Sequence, residues 1–272
     1  MMAFAANSLL NRLALAEGEI GPSGFAAIRV ATGVLVLGVL LAARDRRFPR
    51  PTKPHMAAVA GLTMYMLGFS FAYVSMDAGL GALILFAGVQ ITMFVGALME
   101  GERPPARRWA GMFFAMAGLA ILTYPAGPVV LDTGAVLLMA CAAIGWGAYS
   151  LVGRGVSDPL KATCWNFLYS LPLVLIAFLL WPDVTKPSGN GIALAMVSGG
   201  VTSAMGYALW YYLLPTLGAI KGALAQLSAP AIALGISALF LGEIITWTAM
   251  LAAAMIFVGI AIGLVPRRER NR

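Results

Sequence analysis

AGLGALILFAGVQITMFVGALMEGERPPARRWAGMFFAMAGLAILTYP, residues 78–125, aligns without a gap on AIKGALAQLSAPAIALGISALFLGEIITWTAMLAAAMIFVGIAIGLVP, residues 219–266, at an offset of 141. Gly81-Ala82-Leu83 falls on Gly222-Ala223-Leu224, Ala97-Leu98 on Ala238-Leu239, and Gly101-Glu102 on Gly242-Glu243. Gly118 falls on Gly259, Ala120-Ile121 on Ala261-Ile262, and Pro125 on Pro266. Ala and Leu matches arise readily in apolar sequence; a Gly-Glu pair and a closing Pro in the same register do not. Each copy reads as two apolar helices joined at Gly-Glu, where the glycine suits a helix C-terminus and the acid a solvated turn.

The copies sit in a chain of 272 residues that is 61% hydrophobic and only 11% charged. An average soluble domain carries roughly 25% charged residues, so composition predicts an integral membrane protein. A span needs about 20 apolar residues. Such runs lie at 22–43, 56–76, 79–99, 107–124, 133–153, 159–181, 191–214, 219–241 and 247–265, and a short tenth at 1–16. The duplication reaches all ten. Ala6, Ser8, Leu9 and Arg12 match Ala148, Ser150, Leu151 and Arg154 at an offset of 142, which sets Phe4 opposite Trp146; Gly68 and Tyr73 match Gly206 and Tyr211 at 138. The expected fold is therefore all-α, ten transmembrane helices in two five-helix repeats, residues 1–126 and 127–272. Five is odd, so the second repeat enters the membrane in the opposite sense, an arrangement common among secondary transporters.

Charge placement agrees. With the N-terminus in the cytoplasm, 15 of the 18 basic residues fall on inner segments: Arg44, Arg46, Arg47, Arg50 and Lys53; Arg103, Arg107 and Arg108; Arg154 and Lys161; Lys221; and Arg267, Arg268, Arg270 and Arg272. Glu17, Glu19, Asp77, Asp132, Asp183 and Glu243 fall outside. This is the positive-inside pattern, and it reads the net charge of +7 as topology rather than nucleic-acid binding.

Several chemistries are excluded. His55 is the one histidine and lies in a basic loop, and Cys141 and Cys164 have no partners at metal-ligand spacing, so neither a metal nor a cofactor is expected. No nucleophile–base pair or buried acid pair suggests hydrolysis, and no Gly-x-x-x-x-Gly-Lys-Ser/Thr loop suggests ATP use.

Ten spans in two halves, Gly-Glu after spans four and nine, Ile28-Arg29 early in span two and Trp146-Gly147 in span six resemble the drug/metabolite transporter superfamily, EamA type. Within it the chain looks most like the bacterial aromatic amino-acid exporter (YddG) group. The resemblance implies a bacterial inner-membrane protein with a cavity between the halves, alternating access, and export of amino acids or related metabolites. It also implies that the first span begins with turns ahead of residue 1.

The candidate substrate residues are those set deep in the spans. Tyr65, Trp146, Tyr149, Tyr169 and Tyr207 lie too deep for an interfacial belt, and Trp165 shares a face with Tyr169; their alternatives are cavity lining or lipid-facing packing. Tyr124, Trp109, Trp181, Trp247, Tyr211 and Tyr212 lie at span ends and read as belt residues. Asn7, Gln90, Asn166 and Gln226 are uncharged polar groups at depth, which must pair or line a wet cavity. Arg29 is a clamp for a substrate carboxylate, a structural link to a helix end, or a side chain that snorkels to the outer interface. Gly88 and Pro230 are weak points on repeat-related helices and candidate hinges. Aromatic walls with amide and hydroxyl groups suit a neutral or aromatic amino acid, with the lipid bilayer as the other partner and no nucleic acid. The alternatives are a carrier of another small solute, such as a nucleoside or lipid-linked sugar, or a non-catalytic membrane scaffold.

The topology is directly testable. With both termini cytoplasmic, a cysteine introduced near Asp183 is labelled by an impermeant reagent from outside and one near Arg47 is not; the reverse pattern refutes the inverted repeat.

Overall fold

The computed structural model describes residues 1–15, 17–46, 50–76, 78–124, 132–241 and 245–264. Asp77, Arg47, Pro125, Gly242-Glu243, Pro266, the basic tail and the 126/127 boundary lie outside the described residues. All regular structure among the described residues is helical. The order is α1 (Met2–Leu15), α2 (Pro22–Asp45), α3 (Met56–Ala72), α4 (Ala78–Met99), α5 (Ala106–Leu122), α6 (Thr133–Gly153), α7 (Pro159–Leu180), α8 (Gly189–Val197), a π-helical stretch (Ser198–Met205), α9 (Gly206–Gln226), α10 (Ser228–Leu241) and α11 (Trp247–Leu264).

These elements retrace the apolar runs with two differences. The expected eighth span is a continuous rod from Gly189 that passes through the π-helical stretch. The helical path then turns at Gly218, whose φ of 72° and ψ of 172° leave the helical region. The ninth span follows and is broken again at Leu227. Among the described residues, six helical segments are long and apolar enough to cross a membrane alone: Pro22–Asp45, Leu80–Met99, Thr133–Gly153, Pro159–Leu180, Gly189–Gln226 and Trp247–Leu264. α3 and α5, at 17 residues each, fall just under the usual length.

Helix ends are set by caps, several of them supplied from far along the chain. Asp132 and Asp158 accept from the Gly134 and Lys161 amides and start α6 and α7. α2 has Pro22 in its first turn and no cap of its own. Asp183, just beyond α7, supplies one by accepting from the Ser23 and Gly24 amides at 3.0 and 2.6 Å. At the other end of the same pair, Arg44 forks onto both Asp158 oxygens at 2.8 and 2.7 Å. That fork holds the Asp158 carboxyl below its ordinary range. The linked stabilisation is complete above the unfolded carboxylate pKa of about 3.9 and is lost as pH falls below it.

Packing pairs α2 with α7 and α5 with α11. α3 and α4 lie on α6, while α8, the π-helical stretch and α10 lie on α1, and α4 meets α9. The tightest crossings use paired glycines. A Cβ on Gly61 would lie 2.6 Å from the Gly145 carbonyl oxygen, and one on Gly145 would lie 2.5 Å from the Gly61 oxygen. Gly111 and Gly259 oppose each other in the same way, at 2.5 and 2.6 Å. Absent side chains let backbones close in, the usual basis of helix association in lipid. The polarity of the assembly is inverted relative to a soluble protein. Arg29, Asn7, Asn11, Gln90, Gln226, Ser150 and Ser203 are buried, while Leu35, Val39, Phe113, Leu179 and Leu251 are exposed.

Gly111→Val places branched carbons against the α11 backbone, whereas Gly38 has nothing within 4 Å of a built Cβ. Overpacking costs about 1–3 kcal/mol or more, and Gly to Ala in a helix gains up to about 1 kcal/mol. Thermal unfolding of purified protein should show G111V clearly destabilised and G38A unchanged or slightly raised.

Candidate substrate site

Arg29, on α2, is fully buried. Its Nε donates to Ser203 Oγ at 2.8 Å and its Nη2 to the Tyr207 hydroxyl at 2.7 Å. Its guanidinium carbon lies 5.5 Å from the Tyr65 ring centroid and 6.0 Å from that of Phe69, within cation–π range. Nη1 makes no hydrogen bond. Arg29 therefore does not snorkel to an interface. It is held in mid-structure by neutral groups from α3, the π-helical stretch and α9.

A ring cluster continues from it. Trp146 on α6 lies 4.6 Å from Tyr207, 4.9 Å from Tyr65 and 5.6 Å from Tyr149. Phe4 on α1 meets Trp146 edge-on at 5.3 Å and Tyr207 at 5.9 Å. These are favourable aromatic geometries. Polar groups close the cluster's far side. Trp146 Nε1 donates to Gln226 Oε1 at 2.5 Å, and Gln226 Nε2 donates to the Met93 sulfur at 3.2 Å. Gln90 Nε2 donates to the Ala223 carbonyl, tying α4 to α9, while Gln90 Oε1 is buried without a partner. Tyr149 sits with its side chain beside Thr163 and Asn166 of α7.

The structure thus brings together Arg29, Tyr65, Trp146, Tyr149, Tyr207 and Gln226, with Asn166 beside Tyr149. Asn7 forms a neighbouring group, its Oδ1 accepting from Ser198 at 2.7 Å and Thr202 at 3.0 Å. Trp165 and Tyr169 stand apart: among the described residues their ring contact is with each other, and Tyr169 donates to the Thr52 carbonyl in the α2–α3 connection. Gly88 lies within an unbroken α4, where a Cβ would meet the Ala143 Cβ at 2.6 Å. Pro230 lies in the first turn of α10, just after the break at Leu227, a position that tolerates proline.

One belt assignment is corrected. Tyr211 is fully buried, stacks on Tyr149 at 4.4 Å and donates to the Tyr149 carbonyl at 2.9 Å. Its neighbour Tyr212 is 67% exposed, so span position alone did not decide which ring faces inward. Tyr124, Trp181 and Trp247 are exposed, as belt residues should be. Trp210, at i+3 from Tyr207 on the same helix, donates to Ser150 Oγ at 3.0 Å; sequence reading did not foresee that pairing and missed the Ser203 and Ser198–Thr202 partners. A run of Ser and Thr at 198–203 was the available signal.

Such a site has no nucleophile–base pair and no buried carboxylate among the described residues. It offers ring faces, amide groups and one fixed positive charge.

Comparison with known proteins agrees with this geometry. The model of the EamA-like transporter family matches residues 1–124 and 133–265, and the chain belongs to that family. An uncharacterised protein of Pseudomonas aeruginosa is 41% identical over 270 residues, covering 99% of this chain and 93% of that one. A probable amino-acid metabolite efflux pump of Salmonella typhimurium is 25% identical, covering 78% and 77% of the two chains. A probable terminal-alkyne amino-acid exporter of Streptantibioticus cattleyicolor is 23% identical, covering 93% and 86%. A solved crystal structure at 20% identity superposes with a TM-score of 0.79 over 96% of each chain. The chain is thus a multi-pass membrane transporter by family.

Burial separates the aromatic residues into two groups. Trp146 is 5% exposed, Tyr207 1% and Trp247 84%. In a transport assay at matched expression, Trp146→Ala and Tyr207→Ala should each reduce the rate at least about tenfold, equivalent to about 1.4 kcal/mol, and Trp247→Ala should not. Equal effects of all three would remove the ring cluster from function.

Proposed function

We propose that this protein is a secondary transporter of the bacterial inner membrane that exports neutral or aromatic amino acids and related small metabolites by alternating access. The observation that carries the reading is the convergence of Arg29, Tyr65, Trp146, Tyr207 and Gln226, drawn from both halves of the chain, on one buried cluster. The names of the Salmonella and Streptantibioticus relatives support the substrate class and the direction.

The architecture we propose for it is two repeats, 1–126 and 127–272, of opposite membrane sense, with both termini cytoplasmic. Helix packing supports this. Exchanging the halves turns the contacts of α3 and α4 with α6 into those of α8 and α10 with α1, and it returns the α2–α7 and α5–α11 pairs to themselves. Phe4 and Trp146, equivalent under the repeat, touch, as residues beside a two-fold axis must. Alternation then rocks one half against the other. The Leu227 break beside Pro230 supplies the flexible point in the second half, and Gly88 occupies the related region of the first. The substrate sits among Tyr65, Trp146, Tyr149, Asn166, Tyr207 and Gln226, with Asn7 and Gln90 beside them and Arg29 facing its carboxylate; Trp165 and Tyr169, which stand apart, are not part of it.

Coupling follows from the titratable groups. Every described Asp and Glu is at least partly exposed, and His55 is exposed. Arg29 cannot release its proton at physiological pH, and the other deep groups are amides, alcohols and phenols. Substrate accordingly moves down its own gradient without an obligatory proton. In proteoliposomes with equal amino acid on both sides, counterflow exchange should proceed and an imposed pH gradient should drive no net accumulation. Uphill accumulation abolished by a protonophore would overturn this coupling, and absence of exchange across a panel of amino acids would overturn the substrate class.

A further inference from the structure

Arg29 carries a full charge that no ion pair among the described residues balances. Its partners are the Ser203 and Tyr207 hydroxyl groups and the ring faces of Tyr65 and Phe69. The titratable groups facing it, Tyr65 and Tyr207, are phenols rather than carboxylates. Its Nη1 points at no acceptor. The described carboxylates that form ion pairs do so elsewhere, at helix ends: Asp45 and Asp158 with Arg44, Glu100 and Glu102 with Arg154. A buried ion without a counter-charge is costly, and supplying the missing partner recovers that cost. Among the described residues the cluster also lacks a carboxylate for an ammonium group; its unpartnered buried acceptors, Gln90 Oε1 and the Tyr149 hydroxyl, are an amide and a phenol oxygen.

Resting on the transporter reading above, we propose that the site selects solutes by charge. It favours organic monoanions with an apolar or aromatic body, carboxylates whose amino group is absent or acylated, over zwitterionic amino acids, and zwitterions over amines. A carboxylate takes the Nη1 hydrogen and neutralises the guanidinium. A zwitterion does the same but brings its ammonium within about 5 Å of that guanidinium, where repulsion in a protein interior is appreciable. An amine brings repulsion alone. The aromatic walls contribute equally to all three.

The test is a matched binding series on the full-length protein in neutral detergent at pH 7, read by tryptophan fluorescence. The probes are 3-phenylpropanoate, N-acetylphenylalanine, phenylalanine and 2-phenylethylamine. The two anions should bind about tenfold to hundredfold tighter than phenylalanine, the range for one charged hydrogen bond, with the amine weakest. R29K should keep the order, and R29Q should abolish it. Phenylalanine binding as tightly as both anions would overturn the charge selection while leaving the transporter reading standing. Binding of none of the four would overturn both. An R29Q protein that folds and keeps the order would also overturn it. If R29Q does not fold, the wild-type order and R29K decide the question.

Discussion

Two helices in hydrocarbon gain little by hiding apolar surface from each other, because lipid tails are as apolar as leucine. What joins them must come from closeness, and here closeness comes from missing side chains. Gly61 and Gly145 let α3 and α6 touch backbone to backbone. One turn on from Gly61 stands Tyr65, and next to Gly145 stands Trp146, so the crossing fixes their rings 4.9 Å apart. The same device acts on the other side of the cluster. A Cβ on Gly199 would collide with the Arg29 carbonyl, and one turn past Gly199 is Ser203, which accepts from the Arg29 guanidinium. Each pivotal contact of the site lies within a turn of a glycine that allows it.

Once the helices are close, polarity decides what they enclose. Without water, each indole N–H and amide needs a protein partner. Trp146 finds Gln226, Trp210 finds Ser150, and Tyr211 finds the Tyr149 carbonyl. These bonds run between α6 and the helices of the ninth and eighth spans, so the network that satisfies the aromatic groups also ties the middle of the chain to its later part. Arg29 Nη1, Gln90 Oε1 and the Tyr149 hydroxyl are among the buried groups left without a partner.

The ten apolar runs were plain in the sequence because a span of hydrocarbon fixes their length and composition. The depth of Trp146 and Tyr207 followed from counting residues along those runs. Direction around a helix did not follow, since almost every face of these helices is apolar. Tyr211 and Tyr212 stand at nearly the same depth, yet one is buried and the other faces outward. Arg29 was recognisable as anomalous, but its partners lie 174 and 178 residues further on, beyond the reach of any local pattern. The π-helical stretch was likewise invisible: Ser198–Met205 reads like ordinary small-residue helix, and its looser winding became evident from the backbone bonds alone.

The cap on α2 has a bearing on how such a chain is made. Pro22 starts that helix without a local acceptor, and the amides of Ser23 and Gly24 wait for Asp183, some 160 residues later. During synthesis the ribosome delivers α2 long before it delivers that carboxylate. The beginning of α2 therefore stays open to water until α7 has crossed the bilayer and carried Asp183 alongside it. The early spans leave the translocation channel as an unfinished assembly, and the later ones complete it as they arrive.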